Sequence, residues 1–134
     1  MPKARAIPAD HKPFAGLPVQ MVTVGDSSEQ IAVHVAGRLG PGRLPVICVP
    51  GYNRNMADYA DFVRLGGQLL PDTTPIVLVD PKGRGRSSDR PKAEDYTSIR
   101  DAADLVEITR ALAIERDIFV GQGHGGQVLM ALGA

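Results

Sequence analysis

The sequence predicts an α/β protein: a mostly parallel, doubly wound sheet that begins with an antiparallel strand pair. Three observations carry the prediction. VICV (46–49), IVLVD (76–80) and DIFVG (117–121) are apolar, β-branched runs with little or no polar face, as in strands buried on both faces of a parallel sheet. The intervening segments, 55–70 and 98–112, carry apolar residues at helical spacing. Upstream, VQMVTV (19–24) and QIAVHVAG (30–37) flank the turn-forming cluster GDSSE, which gives two antiparallel strands.

Residues 1–18 are basic and hold four prolines but no apolar core, so they read as an irregular arm and a poor secretion signal. Residues 19–134 form the folded part. In 55–70 the stripe is Met56, Tyr59, Phe62, Val63, Leu69 and Leu70, with Asn55 and Asp58 as an N-terminal capping signal and Gly66-Gly67 as a weak point. In 98–112 it is Ile99, Ala102, Ala103, Val106 and Leu112, with Ser98 and Asp101 placed as a capping box. The resulting order is β-β-β-α-β-α-β, followed by a glycine-rich turn and a further helix.

Composition narrows the function. Fifteen Lys and Arg balance fifteen Asp and Glu, so there is no electrostatic footprint for nucleic acid or a membrane surface. No apolar run approaches the ~20 residues of a membrane helix. The single cysteine, Cys48, excludes an intrachain disulfide, and its apolar setting predicts a buried thiol. A reducing, cytoplasmic location is expected. Neither a cofactor nor a metal is expected.

Ligand chemistry in a doubly wound sheet sits beyond the C-terminal strand ends. Three loops occupy those ends: PGYNRN (50–55), DPKGRGRSSDRP (80–91) and GQGHGG (121–126). The last admits two frames. Gly121, Gly123 and Gly126 spell G-x-G-x-x-G, the dinucleotide fingerprint. Gly121, Gly123 and Gly125 fit G-x-S-x-G, the nucleophile elbow, with glycine at the serine position. The fingerprint belongs in the first βα turn of its fold, whereas this turn follows three parallel-type strands, which favours the elbow.

Around that turn the chain resembles the α/β-hydrolase fold family, from about Val19 to Ala134. PVICVPGYNRN is similar to the family's third strand and the loop after it. IVLVDPKGRGRSSDRP resembles the fourth strand and a D-x-R-G-x-G-x-S loop, matched by Asp80, Lys82 in place of Arg, Gly83, Gly85 and Ser87. YTSIRDAADLVEITRALAIERDIFVGQGHGG resembles the following helix, the fifth strand and the elbow. The resemblance implies an incomplete α/β-hydrolase fold. It implies that Gly121 and Gly125 are the small residues of a crowded turn and that Gly123 holds the nucleophile position without a nucleophile. It also implies an oxyanion hole from the backbone N–H groups of His124 and Tyr52, with Gly51, Asn53 and Gln122 lining the site. In the family the acid and histidine of the triad follow the nucleophile, so both would lie beyond Ala134. Pro50 stands where the family usually has a loop-supporting histidine.

The implied parent activity is hydrolysis of an ester, amide or related acyl compound, with a small-molecule substrate of that class. This chain would be inactive. The alternatives are a non-catalytic binding protein on the same fold and, less favoured, a dinucleotide binder. The fifth strand would present a bare edge, which invites self-association. His11 falls in the arm and His34 on the second strand. Of the other polar residues, His124 is read as lining the pocket, Ser87 as a turn serine and Asp80 as a loop-holding carboxylate. Lys82, Arg84, Arg86, Arg90 and Lys92 are read as a solvated loop balanced by Asp80, Asp89, Glu94 and Asp95. Tyr52 could offer its hydroxyl as well as its N–H, or simply pack.

Overall fold

A five-stranded sheet organises the structure, a computed structural model that describes residues 17–25 and 28–133. Residues 1–16 of the arm, His11 among them, lie outside the described residues. The strands are β1 (Gln20–Thr23), β2 (Gln30–Ala36), β3 (Val46–Val49), β4 (Ile76–Val79) and β5 (Ile118–Gly121). Their spatial order is β1-β2-β4-β3-β5. β1 pairs antiparallel with β2, and β2 with β4. β3 runs parallel to both β4 and β5, joined through α1 (Ala60–Leu69) and α2 (Ser98–Ala111), and α3 (His124–Gly133) follows β5. The predicted element order, the antiparallel β1–β2 pair and the parallel β3, β4 and β5 are those observed, while the antiparallel junction of β2 with β4 is seen only in the structure.

Period-two alternation divides the strand side chains between two helical layers. Val46, Cys48, Ile76 and Leu78 point to one face, under Met56 and the partly buried Tyr59, Val63 and Leu70. Ile47, Val49, Val77 and Val79 point to the other, under Ala102, Leu105 and Ile108 of α2 and Val128 of α3. Helices on both faces explain why β3 and β4 have no polar face.

Four details correct the sequence reading. β5 is not buried on both faces: Ile118 and Val120 share the face of Val46 and Cys48 but stay 46% and 40% exposed, because the α1 layer packs over β3 and β4. The segment from Asn55 starts as a 3-10 turn, Met56–Tyr59, and becomes α-helical only at Ala60; Asn55 does cap it, accepting from the Ala57 N–H. Thr97, not Ser98, caps α2 by accepting from the Arg100 N–H, since the Asp101 side chain is drawn into buried ion pairs. The buried stripe of α2 is Asp101, Ala102, Leu105 and Ile108, and Ile99 is exposed.

Gly66 has a packing reason. A β-carbon there would stand 2.5 Å from the Cδ1 of Ile76, so its absence lets α1 settle onto β4.

Candidate active site

β3 leads into α1 on one face, while its neighbours β4 and β5 lead into α2 and α3 on the other. Loops that part to opposite faces leave a crevice at the C-terminal end of β3. The loops after β3 and β5 meet there: the Gln122 N–H donates to the Val49 carbonyl at 3.3 Å, and a β-carbon on Gly51 would lie 3.2 Å from the Gln122 oxygen.

The turn from β5 into α3 is shaped by unequal crowding. A β-carbon on Gly121 would be 2.6 Å from the Gly125 carbonyl carbon. One on Gly125 would collide with the Val49 carbonyl and stand 2.8 Å from the Pro50 oxygen. One on Gly126 would meet only the Gly121 oxygen, at an ordinary 3.9 Å. Gly123 sits between them at φ +57°, with nothing within 4 Å of its β-carbon direction. A left-handed residue at a strand-to-helix turn costs an L side chain of order 1–2 kcal/mol, and glycine avoids that cost. The crowded positions are therefore 121 and 125, and the open one is 123.

Tyr52 and His124 stand across the crevice from each other, rings edge to face with centroids 5.9 Å apart. The Tyr52 side chain is 73% exposed, so the packing role is not the one observed. Among the described residues, the backbone N–H groups of Tyr52 and His124 have no acceptor. Asn53 holds a left-handed φ of +56°, tolerable for asparagine. Asn53 and Gln122 are exposed.

Asp80 is fully buried at the end of β4, where its carboxylate accepts from the Met56 and Arg86 N–H groups at 2.8 and 3.0 Å. It ties the loop after β4 to the turn that opens α1, as a loop-holding carboxylate should. Burial raises its pKa; the two N–H groups and the charges of Arg86 and Arg84 oppose that shift. Gly85 is glycine because a β-carbon would fall on this carboxylate. Ser87 and Ser88 accept from the Ala32 and Gln30 N–H groups of β2, so their bonds reach well beyond their own turn.

The basic loop is the main correction. Lys82 and Arg90 are about 95% buried. Lys82 pairs with Glu29 at 2.6 Å, and Arg90 with Asp101 and Asp104. Arg84 pairs with Asp101 at 2.8 Å and donates, at a long 3.4 Å, to the Gly51 carbonyl. His124 Nε2 lies 3.5 Å from the same Asp101 oxygen. Burial raises the pKa of Asp104, opposed by Arg90 and Lys82. Sequence reasoning named Asp101 only as a cap and missed Asp104 and Glu29. Charged residues on a helix face otherwise apolar, Asp101 and Asp104 beside Leu105 and Ile108, were the available signal.

Over 87% of its length the chain superimposes on a crystal structure of an α/β hydrolase from Novosphingobium aromaticivorans, with a TM-score of 0.72 and 26% identity. The chain has an α/β-hydrolase fold. It covers 39% of that hydrolase. An epoxide hydrolase from Vigna radiata shares the α/β-hydrolase fold at 17% identity and a TM-score of 0.73, with 89% of this chain and 36% of that one covered. A serine hydrolase-like protein of Danio rerio is 32% identical over 84 residues, which are 63% of this chain and 24% of that protein. The chain thus spans about a quarter of its curated relative and under half of these hydrolase structures. No protein-family model matches it. Among the described residues, no helix is long and apolar enough to cross a membrane.

Proposed function

We propose that this chain carries the oxyanion-binding part of an acyl-hydrolase site whose nucleophile position is glycine. The turn Gly121–Gly125 is read as a nucleophile elbow. The observation that supports this is the crowding pattern: positions 121 and 125 admit no side chain, whereas the direction of a side chain at 123 is clear. The same pattern weighs against a dinucleotide fingerprint, because its third glycine, Gly126, has room for a side chain. The free N–H groups of Tyr52 and His124, the latter opening α3, supply donors for a developing oxyanion.

The parent chemistry is attack by a serine at 123 on an ester, amide or related acyl carbon, with an acid and a histidine supplied from elsewhere. His34 Nδ1 donates to the Pro18 carbonyl and His124 Nε2 faces Asp101, so neither serves position 123 as a base in this arrangement. As it stands the chain binds an acyl compound or its carboxylate product without turning it over. Gly123 equally favours a purely binding protein on this scaffold.

Gly123→Ser in the full-length protein separates the two. Labelling by a serine-directed phosphonate together with turnover of simple esters supports a hydrolase site lacking one group. A folded variant that neither labels nor hydrolyses any simple ester argues for the binding protein.

A further inference from the structure

Pro50 and Gly51, at the start of the loop after β3, have no side-chain donor to hold that loop over the crevice. Arg84 reaches that loop from the neighbouring loop after β4. Its Nη1 donates to the Gly51 carbonyl at 3.4 Å, and its Nη2 is anchored on Asp101 Oδ2 at 2.8 Å. The Gly51 carbonyl and the Tyr52 N–H belong to one peptide group, and no described peptide bond is cis. In a trans peptide the C=O and N–H point in opposite directions. A charged donor on the Gly51 oxygen therefore helps to hold the Tyr52 N–H pointing away from Arg84 and polarises it. The same oxygen also accepts the Arg54 N–H at a shorter 3.1 Å, a bond local to the turn that carries no charge, so what Arg84 adds is a charged donor anchored outside the turn.

The Asp101 Oδ2 that anchors Arg84 also lies 3.5 Å from His124 Nε2. One buried carboxylate oxygen thus stands behind both sides of the crevice, the loop after β3 and the first residue of α3. Arg90, on Asp101 Oδ1, holds that carboxylate from its other side.

We infer that Arg84, anchored by Asp101, is a positioning residue that aims and strengthens the Tyr52 N–H as an oxyanion donor. The inference rests on the reading of Tyr52 and His124 as an oxyanion site, and its ligand class is a carboxylate or the oxyanion of an acyl adduct. Arg84 touches the peptide and not the ligand.

The test is amide NMR on the chain with natural Gly123, titrated with sodium acetate. Acetate is expected to move the Tyr52 and His124 amide resonances. Arg84→Met is expected to shift the Tyr52 amide proton upfield before any acetate is added and to weaken acetate binding about three- to tenfold. Arg84→Lys, which retains a charged donor, is expected to recover part of both effects, and Arg84→Gln, which removes the charge from a polar stem, serves in place of Arg84→Met should that variant unfold. Lys92→Met removes an equal charge from an exposed position of the same loop and is expected to change neither. If acetate moves neither amide in the natural chain, the oxyanion-site reading fails. If acetate moves both but Arg84→Met leaves the free Tyr52 amide and the affinity unchanged, the positioning inference fails and the site reading stands.

Discussion

Gly125 of α3 lies against the backbone of Val49, close enough that a β-carbon on Gly125 would collide with the Val49 carbonyl oxygen. Two residues away, Gly123 has nothing within 4 Å of its own β-carbon position. Gly125→Ala is therefore expected to destabilise the fold by about 3 kcal/mol or more, since the obstacle is backbone and cannot swing aside. Gly123→Ala carries only the left-handed strain, about 1–2 kcal/mol. Urea denaturation of both variants checks the ranking. Equal losses would remove the distinction between crowded and open positions on which the elbow reading depends.

Buried and exposed ion pairs should respond differently to loss of a partner. Arg90→Ala leaves Asp101 and Asp104 short of their shared cation in a buried setting, and is expected to cost about 3–5 kcal/mol. Arg64→Ala breaks a solvent-exposed pair with Asp61 and is expected to cost less than about 0.5 kcal/mol. The difference in denaturation midpoints is the measurement; comparable shifts would mean that the basic loop is solvated after all.

Cys48 gives a pH signature. Burial pushes its thiol up from 9.0 to about 12. From about pH 9 the unfolded chain sheds a proton that the folded chain keeps. The stability Cys48 contributes is therefore fully present below that pH and is lost as pH rises towards about 12. The natural chain is expected to lose more stability between pH 8 and pH 10 than Cys48→Ala does. A thiol reagent at pH 8 is expected to react only as fast as the fold opens. Immediate labelling of the native chain would contradict this placement of Cys48.

The outer edge of β5 has no partner strand among the described residues, and Ile118 and Val120 are exposed beside it. Concentration-dependent self-association is expected, and Val120→Lys is expected to reduce it because a lysine on an edge strand opposes pairing. Sedimentation velocity of the two chains reads this directly. A monomer at every concentration would count against association through β5.

The strands were legible because continuous β-branched runs have few other uses, and the turn was legible because glycine spacing records steric crowding directly. The helix faces were less so. Leu105 and Ile108 make the true stripe of α2, yet Ile99 and Val106 fit a helical period as well, and only the tilt of the helix against the sheet decides between them. The charge network was illegible for a different reason. Lys82 finds Glu29 and Asp104, and Arg90 finds Asp101 and Asp104, across separations that local charge counting does not reach. Asp80 is a loop-holding carboxylate as its place after a strand suggests, whereas Ser87 reaches past its own turn to β2, and nothing in the sequence points to the Met56 and Ala32 amides that the two hold.

The contacts that shape the crevice all fall between Glu29 and Val128. During synthesis, with domains forming as the chain emerges, the ribosome has delivered every one of these partners once Val128 is clear of the exit tunnel. Among the described residues, the turn at Gly123 and its carboxylate brace therefore draw on no partner later in the chain than Val128.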